Sequence, residues 1–331
     1  MVELEIKEKE AGKRLDKYLH KFLKEAGTGV RYKMLRKKNI TLNGKKAEGS
    51  EKLCEGDRVT LFLSDETIMK FGGRLSAAEG AGEYRKAYES LGDLGIVFEN
   101  HHVLVLNKPS GVLTQKAGAG DVSLNEWLVG YLLETGELTE SELHTFHPSV
   151  CNRLDRNTSG MVICGKTLAG SQTMGMLLRD KGLRKFYRLY VKGRVEEASF
   201  AEGYLVKDEA ANRVKLTDAA QEGASYIRTN YKPLRHYGNL TLLEAELVTG
   251  KTHQIRLHLS GTGHPVLGDY KYGDKEFNDT YRKKYGVKSQ LLHACRLEFP
   301  EMDGAFSDMS GLVLTAGEPD LFAQIDKGER D

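Results

Sequence analysis

Residues 151–167 read CNRLDRNTSGMVICGKT, and the reading given to the middle of this stretch decides the fold class. Gly160 to Thr167 satisfy G-x-x-x-x-G-K-[ST], the formula of a loop that cradles nucleotide phosphates. Such a loop follows a strand and needs small, flexible residues whose N–H groups converge on an anion. Met161, Val162, Ile163 and Cys164 include three apolar residues, two of them β-branched, which is strand chemistry. Strand N–H groups are committed to a ladder. The residues before Gly160, DRNTS, form a turn, and no hydrophobic run ends in an Asp placed to hold magnesium. The stretch therefore reads as a polar turn entering a buried strand, and the Gly-Lys-Thr match as chance. The rival, a nucleotide hydrolase, predicts magnesium-dependent ATP binding that is lost on Lys166→Ala.

The segments around this strand set the architecture. From Gly95 onward, short β-rich runs follow one another: GIVFEN, HVLVLNKPSG, GMVIC, RKFYRLYVKGRV, ASYIRTNYKPL, NLTLLEAELV and LLHACRLEF. Helical periodicity interrupts them only at LNEWLVGYLL, LAGSQTMGMLLRDKG and KTHQIRLHLSGTG. Strands with few helices between them favour an α+β fold with a mixed, mostly antiparallel sheet over βαβ alternation.

The chain has 331 residues, enough for about two domains at roughly 150 residues each. Its net charge of +2 conceals an asymmetry, because residues 1–63 hold sixteen basic against ten acidic side chains. A small basic unit joined to a near-neutral one suits a polyanion handle on a separate working domain. No apolar run approaches the roughly 20 residues of a membrane span. The N-terminus, MVELEIKEKEAGKRLD, lacks the apolar core of an export signal. Cys54, Cys151, Cys164 and Cys295 are scattered without a C-x-x-C pair and read as reduced thiols. A cytoplasmic protein acting as a monomer without a membrane partner is expected. His253 and His258 lie five apart, the wrong spacing for a helical zinc pair, so no metal is assigned.

Within residues 1–63, GKRLDKYLHKFLKEA carries an apolar helical stripe ringed by lysines, and a second short helix is expected from Val30 to Lys37. Asn43–Gly44 is a type I′ hairpin signal, and GDRVTLFL reads as a closing strand. This order resembles the ribosomal protein S-four-like (αL) RNA-binding module. The resemblance rests on Arg14–Leu15–Asp16, Arg31 to Lys38, Leu42–Asn43–Gly44 and Gly56–Asp57. It makes Arg14, Arg31, Arg36 and Lys37 candidate RNA contacts. Residues 64–92, rich in Gly, Ala and Ser, read as a linker ordered in part against its neighbours, and residues 93–331 as the second domain.

Asp155, alone in RLDRNTSG, is consistent with an ordinary Asx turn in which its carboxylate accepts the Asn157 N–H. Distant segments change that reading. VLNKPSGVL, KFYRLYVKG, GKTHQIRLH, GHPVLGDYKYG and LHACRL accompany the Asp155 turn in a fixed order between Gly95 and Phe299. Together they resemble the RluA-type RNA pseudouridine synthases, in the large-ribosomal-subunit branch that carries an N-terminal S-four-like module. The resemblance implies a pseudouridine synthase fold and the isomerisation of uridine in RNA, with no cofactor, metal or nucleotide.

By the same resemblance, Asp155 is the catalytic carboxylate, acting either as nucleophile or as base. Arg256 is its charge partner, which favours the ionised carboxylate, and Tyr187 offers an aromatic face to the flipped uracil. Asn152, Arg153, Lys108, Lys251 and His253 are the candidate RNA contacts of this domain, with Lys271 a further cation nearby. Two positions depart from the family pattern: Asn152 stands where it has His, and Lys251 where it has Arg. The alternative is a non-catalytic RNA-binding or ribosome-assembly factor that retains the fold, separated from the enzyme by one turnover assay.

Overall fold

The structure is a computed structural model and describes residues 1–72, 81–118, 120–144, 146–208, 213–217, 220 and 223–330. The N-terminal unit runs β1 (Val2–Glu5), α1 (Leu15–Phe22), α2 (Thr28–Arg36), β2 (Ile40–Leu42), β3 (Lys45–Lys46), β4 (Arg58–Leu61) and α3 (Asp65–Lys70). Helix α1 turns Leu15, Tyr18, Leu19 and Phe22 inward at helical spacing, which leaves its lysines around the rim. The strands form an antiparallel sheet in the order β1-β4-β2-β3. At the β2–β3 turn, Asn43 has φ 49° and Gly44 φ 72°, the paired positive values of a type I′ turn. Ile68 of α3 is buried in the same core as α1, α2 and these strands.

The second unit continues through α4 (Ala81–Leu91), β5 (Gly95–Glu99), β6 (Val103–Lys108), α5 (Leu124–Glu134), β7 (Ser149–Val150), β8 (Ser159–Gly165) and α6 (Leu168–Arg179). It is completed by β9 (Arg184–Lys192), β10 (Ser199–Asp208), β11 (Arg213–Thr217), β12 (Ser225–Tyr237), β13 (Leu240–Leu247), α7 (Gln254–Gly261), α8 (Lys275–Tyr285), β14 (Leu292–Glu298), β15 (Val313–Thr315) and α9 (Asp320–Gly328). Part of the stretch read as a linker is thus helix α4, which packs on α5 in the core of this unit. Gly130 permits that contact, since a Cβ there would stand 2.2 Å from the Tyr84 carbonyl oxygen.

The large sheet has the order β11-β10-β12-β13-β9-β14-β8-β6-β5, with β7 and β15 paired beside β8 and β14. Every pairing is antiparallel except β14 with β8. This is the mixed, mostly antiparallel α+β architecture expected from the sequence. All seven residues of β8 are buried, including Met161 to Cys164, so their N–H groups serve the sheet. Lys166, just beyond β8, is buried and donates to Glu99 (2.7 Å) and lies 2.6 Å from Glu137. Thr167 caps α6 by accepting the Gly170 N–H at 3.0 Å. The Gly-Lys-Thr run is a strand end, an internal ion pair and a helix cap.

Candidate active site

The loop between β7 and β8 holds Asp155, and the sheet fastens that loop along its length. The Cys151 N–H donates to the Ile163 carbonyl at 2.7 Å. Asn152 then continues the ladder with its side chain, accepting the Ile163 N–H at 2.8 Å and donating to the Met161 carbonyl at 3.4 Å. β7 pairs with the far end of β8 and β14 with the near end, and the Asn152 amide serves the stretch between. An amide at this position reproduces the donor and acceptor of a peptide unit. Its hydrogen bonds go to the protein backbone, which makes Asn152 a loop-positioning residue on the wall of the cavity.

Further along the loop, the Thr114 hydroxyl donates to the Leu154 carbonyl at 2.8 Å and accepts the Leu154 N–H at 3.2 Å. The turn closes through the Asp155 main-chain carbonyl, which accepts the Thr158 N–H at 3.0 Å. An Asx turn would have occupied the carboxylate. Here the carboxylate is left for other partners. Gly160 (φ 109°) ends the loop, and a Cβ there would lie 2.3 Å from the Ala294 carbonyl oxygen in β14.

Lys108 requires a correction. It was expected to contact an RNA phosphate, but it is fully buried, and its ammonium donates to the carbonyls of Pro109 (3.0 Å), Val112 (2.9 Å) and Arg156 (3.0 Å). Three N–H groups meet three carbonyls, so none remains for a phosphate. Lys108 ties the turn after β6 to the Asp155 loop. Burial pulls its pKa down to about 8, against the opposing pull of Asp155.

Arg256, on α7, links two carboxylates. Its Nε and one terminal nitrogen donate to Asp269 at 2.7 and 2.9 Å, and its Nη1 donates to Asp155 Oδ2 at 2.9 Å. Asp269 is 1% exposed and also accepts the N–H groups of Lys271 (2.9 Å) and Tyr272 (3.1 Å). Burial opposes both charges, but the hydrogen bonds between them prevail: Arg256 is held above its ordinary range and Asp269 below it. The Tyr272 ring lies 5.1 Å from the guanidinium carbon. Asp269 fixes the arginine, and the arginine orients Asp155.

The segment GKTHQIR explains itself residue by residue. Gln254 is buried and fully engaged, donating to the Arg228 carbonyl (2.9 Å) and Thr229 hydroxyl (3.0 Å) while accepting from Thr249 (2.8 Å) and the Lys251 N–H (3.2 Å). It anchors the start of α7 to β12 and to the end of β13. His253 adopts a left-handed conformation, φ 56°, and turns its ring towards the carboxylate. Its Nδ1 is 2.9 Å from the Tyr272 hydroxyl and its Nε2 is 3.6 Å from Asp155 Oδ2. Burial lowers its pKa despite the neighbouring Asp155, which favours the neutral imidazole. His253 thus stands beside Asp155, within the charge cluster.

Tyr187, in β9, belongs to the core and also lines the cavity in front of Asp155. The ring is 6% exposed, and its directly opposite cross-strand neighbours are the small residues Ala245 on β13 and Ala294 on β14. Burial and the charge of Asp155 raise its pKa well above the ordinary value, which keeps the hydroxyl protonated. The cavity has a volume of about 930 Å³. Among the described residues, seven Lys and Arg side chains line it and Asp155 is its single acid. Arg153 and Lys251 are on this wall and exposed.

Among the N-terminal candidates, Arg36 and Lys37 are exposed, together with Lys33, Lys38, Lys45 and Lys46. Arg14 is paired with Asp16 at 3.0 Å. Arg31 is a second correction: it is buried and bonded to the Ala26 carbonyl and the Thr28 hydroxyl (3.2 Å), where it supports the α1–α2 turn. Asp269, Gln254 and Thr114 are the site residues that sequence reasoning did not single out. GHPVLGDYKYG does contain Asp269, but only its burial beneath Arg256 gives it a role.

Asp155, clamped by the buried Arg256, thus lies with the Tyr187 ring on the wall of one cation-lined cavity. Residues 102–261 match the family model described as RNA pseudouridylate synthase. The chain is 30% identical over 292 residues to ribosomal large subunit pseudouridine synthase C of Salmonella typhi, covering 88% of this chain and 86% of the relative. The protein of the same name from Vibrio cholerae is 29% identical, with 89% and 88% covered. The fold is similar to that of the solved structure of human RNA pseudouridylate synthase domain containing 4, at a TM-score of 0.56 and 21% identity, covering 76% of this chain and 97% of that one. The chain belongs to the RNA pseudouridine synthase family, whose members are isomerases.

Proposed function

We propose that this chain converts specific uridines of large-subunit ribosomal RNA to pseudouridine, with Asp155 as the catalytic carboxylate. The reaction breaks the bond from N1 to C1′, turns the uracil and joins its C5 to C1′. The proton on C5 leaves and N1 gains one, so the product is an isomer and no electrons are exchanged. The observation that carries the reading is the chain Asp269–Arg256–Asp155 ending in a cavity beside Tyr187. Arg256 occupies Oδ2 of Asp155, and among the described residues nothing donates to Oδ1. That oxygen is the one available to attack carbon or to accept a proton. The Tyr187 ring, with alanines opposite it on both neighbouring strands, offers the flipped base a face, an interaction of about 1–3 kcal/mol per base.

The ribosomal substrate is supported by relatives named for the large subunit. The exposed cations of α2 and the β2–β3 hairpin support a role for the N-terminal unit in holding RNA. Asp155→Asn keeps the shape of the side chain and its ability to accept from Arg256. It is expected to abolish pseudouridine formation on unmodified ribosomal RNA while folding and RNA affinity are retained. Residual conversion by this variant removes Asp155 from the mechanism.

A further inference from the structure

Lys185 is the second residue of β9, two before Tyr187, and strand alternation puts both on the same face about 7 Å apart. It is 8% exposed and lines the cavity. Among the described residues it has neither a hydrogen-bond nor an ion-pair partner. Its ammonium lies near the turn that leads into α7, 3.8 Å from where a Cβ on Gly250 would stand. Burial, together with the like charge of Lys181, lowers its pKa.

Its neighbour Arg184 makes the contrast. Arg184 points to the opposite face of the sheet and pairs with Glu246 (2.8 Å) and Glu298 (2.6 Å). Acids are thus supplied on one face of β9 and withheld on the other. Arg153, Arg156, Lys181 and Lys251 on the cavity wall are likewise without an acidic partner among the described residues. The stem of Lys185 is buried while its ammonium reaches the cavity without a counter-ion, so an anion entering there meets a partly desolvated, unopposed positive charge.

We propose that Lys185, assisted by Lys181, binds a phosphodiester flanking the uridine whose base lies on Tyr187. The spacing suits one nucleotide, with the base on the ring, the sugar between and the phosphate on the ammonium. This role rests on the reading of Tyr187 and Asp155 as the reaction site. Lys185 is a substrate-binding residue that sets where the sugar stands relative to Asp155.

The test uses the full-length chain, K185M and K185R, with in-vitro-transcribed large-subunit ribosomal RNA free of modification as probe. K185M is expected to bind more weakly, and its plot of log affinity against log salt to be shallower by about 0.7 for the lost contact. K185R should keep the slope. The melting temperature of K185M should match or exceed that of the parent, because the variant keeps the buried stem and deletes a partly desolvated charge that has no counter-ion. A parental salt slope in K185M overturns the proposal, as does a loss of affinity accompanied by a lower melting temperature. The two readings fail separately. A parent chain that makes no pseudouridine but shows the Lys185-dependent slope sinks the catalytic reading alone, whereas turnover with an unchanged K185M slope sinks the phosphate site alone.

Discussion

Arg256 gives one donor to Asp155 and two to Asp269, and the carboxylates differ in exposure. Asp155 opens onto the cavity, whereas Asp269 is sealed. Removing the guanidinium therefore does more than deprive Asp155 of its partner, since it strands a charge in the interior. Arg256→Ala is expected to lower stability by about 3–5 kcal/mol, the range for breaking a buried pair, as read from the midpoint of urea unfolding. A midpoint within error of the parent would show that Asp269 finds water or another partner. Asp155→Asn, by contrast, is expected to leave that midpoint near the parent's. At this scale the sequence disclosed residue types at motif spacings, and Asp155, Arg256 and Tyr187 do meet in one place. It did not disclose burial. Lys108 and Arg31 look from the sequence like any other lysine or arginine near a phosphate site. Only their burial, Lys108 against three carbonyls and Arg31 against a carbonyl and a hydroxyl, marks them as internal fastenings.

Among the elements, β8 and the loop before it act as a unit. Gly160 lies where the loop enters the strand, against the Ala294 backbone of β14, at a φ that side-chain-bearing residues rarely adopt. Gly160→Ala should separate β14 from β8 and shift the Asp155 turn. The expected result is a loss of roughly 1–3 kcal/mol in denaturant unfolding together with a fall in pseudouridine formation at saturating RNA. Full activity with lowered stability would uncouple the turn from the strand contact. The strands with strong β-branched or alternating patterns were legible, as were α5, α6 and α7, because periodicity is a local property. β1, α3, α4, β7, β10, β11, α8, β15 and α9 were not. β1 alternates Val2 and Leu4 with Glu3 and Glu5, a run too short and too charged to stand out as a strand. α4 spaces Ala81, Tyr84, Tyr88 and Leu91 helically behind a Gly-Ala-rich lead that suggested a linker. α8 and α9 are mostly polar, and their few apolar residues gain meaning only from the shared cluster they fill with Tyr190 and Leu267.

For the molecule as a whole, the N-terminal unit has one hydrophobic core and the second unit has three clusters. Ile68 joins the N-terminal core and Ala81 a core of the second unit, so the stretch 64–92, expected as a linker, contributes to both units. Deleting residues 1–72, and not merely 1–63, therefore removes one core without exposing half of it. The truncated chain is expected to bind ribosomal RNA more weakly, with a shallower dependence of log affinity on log salt. An unchanged slope would show that the cations on α2 and the hairpin make no phosphate contacts.

The position of β14 gives the catalytic unit a built-in order of assembly. Residues 292–298 insert between β9 and β8, and among the described residues no other strand bridges those two in the sheet order. Asp155 belongs to the half built from β5, β6 and β8, while Tyr187 and Arg256 belong with the half built from β9 to β13 and the helix that follows it. Asp155, Tyr187 and Arg256 all precede residues 292–298 in the chain, so both halves of the proposed site are present before the strand that joins them. The site as a whole is assembled only once that strand is seated between β9 and β8.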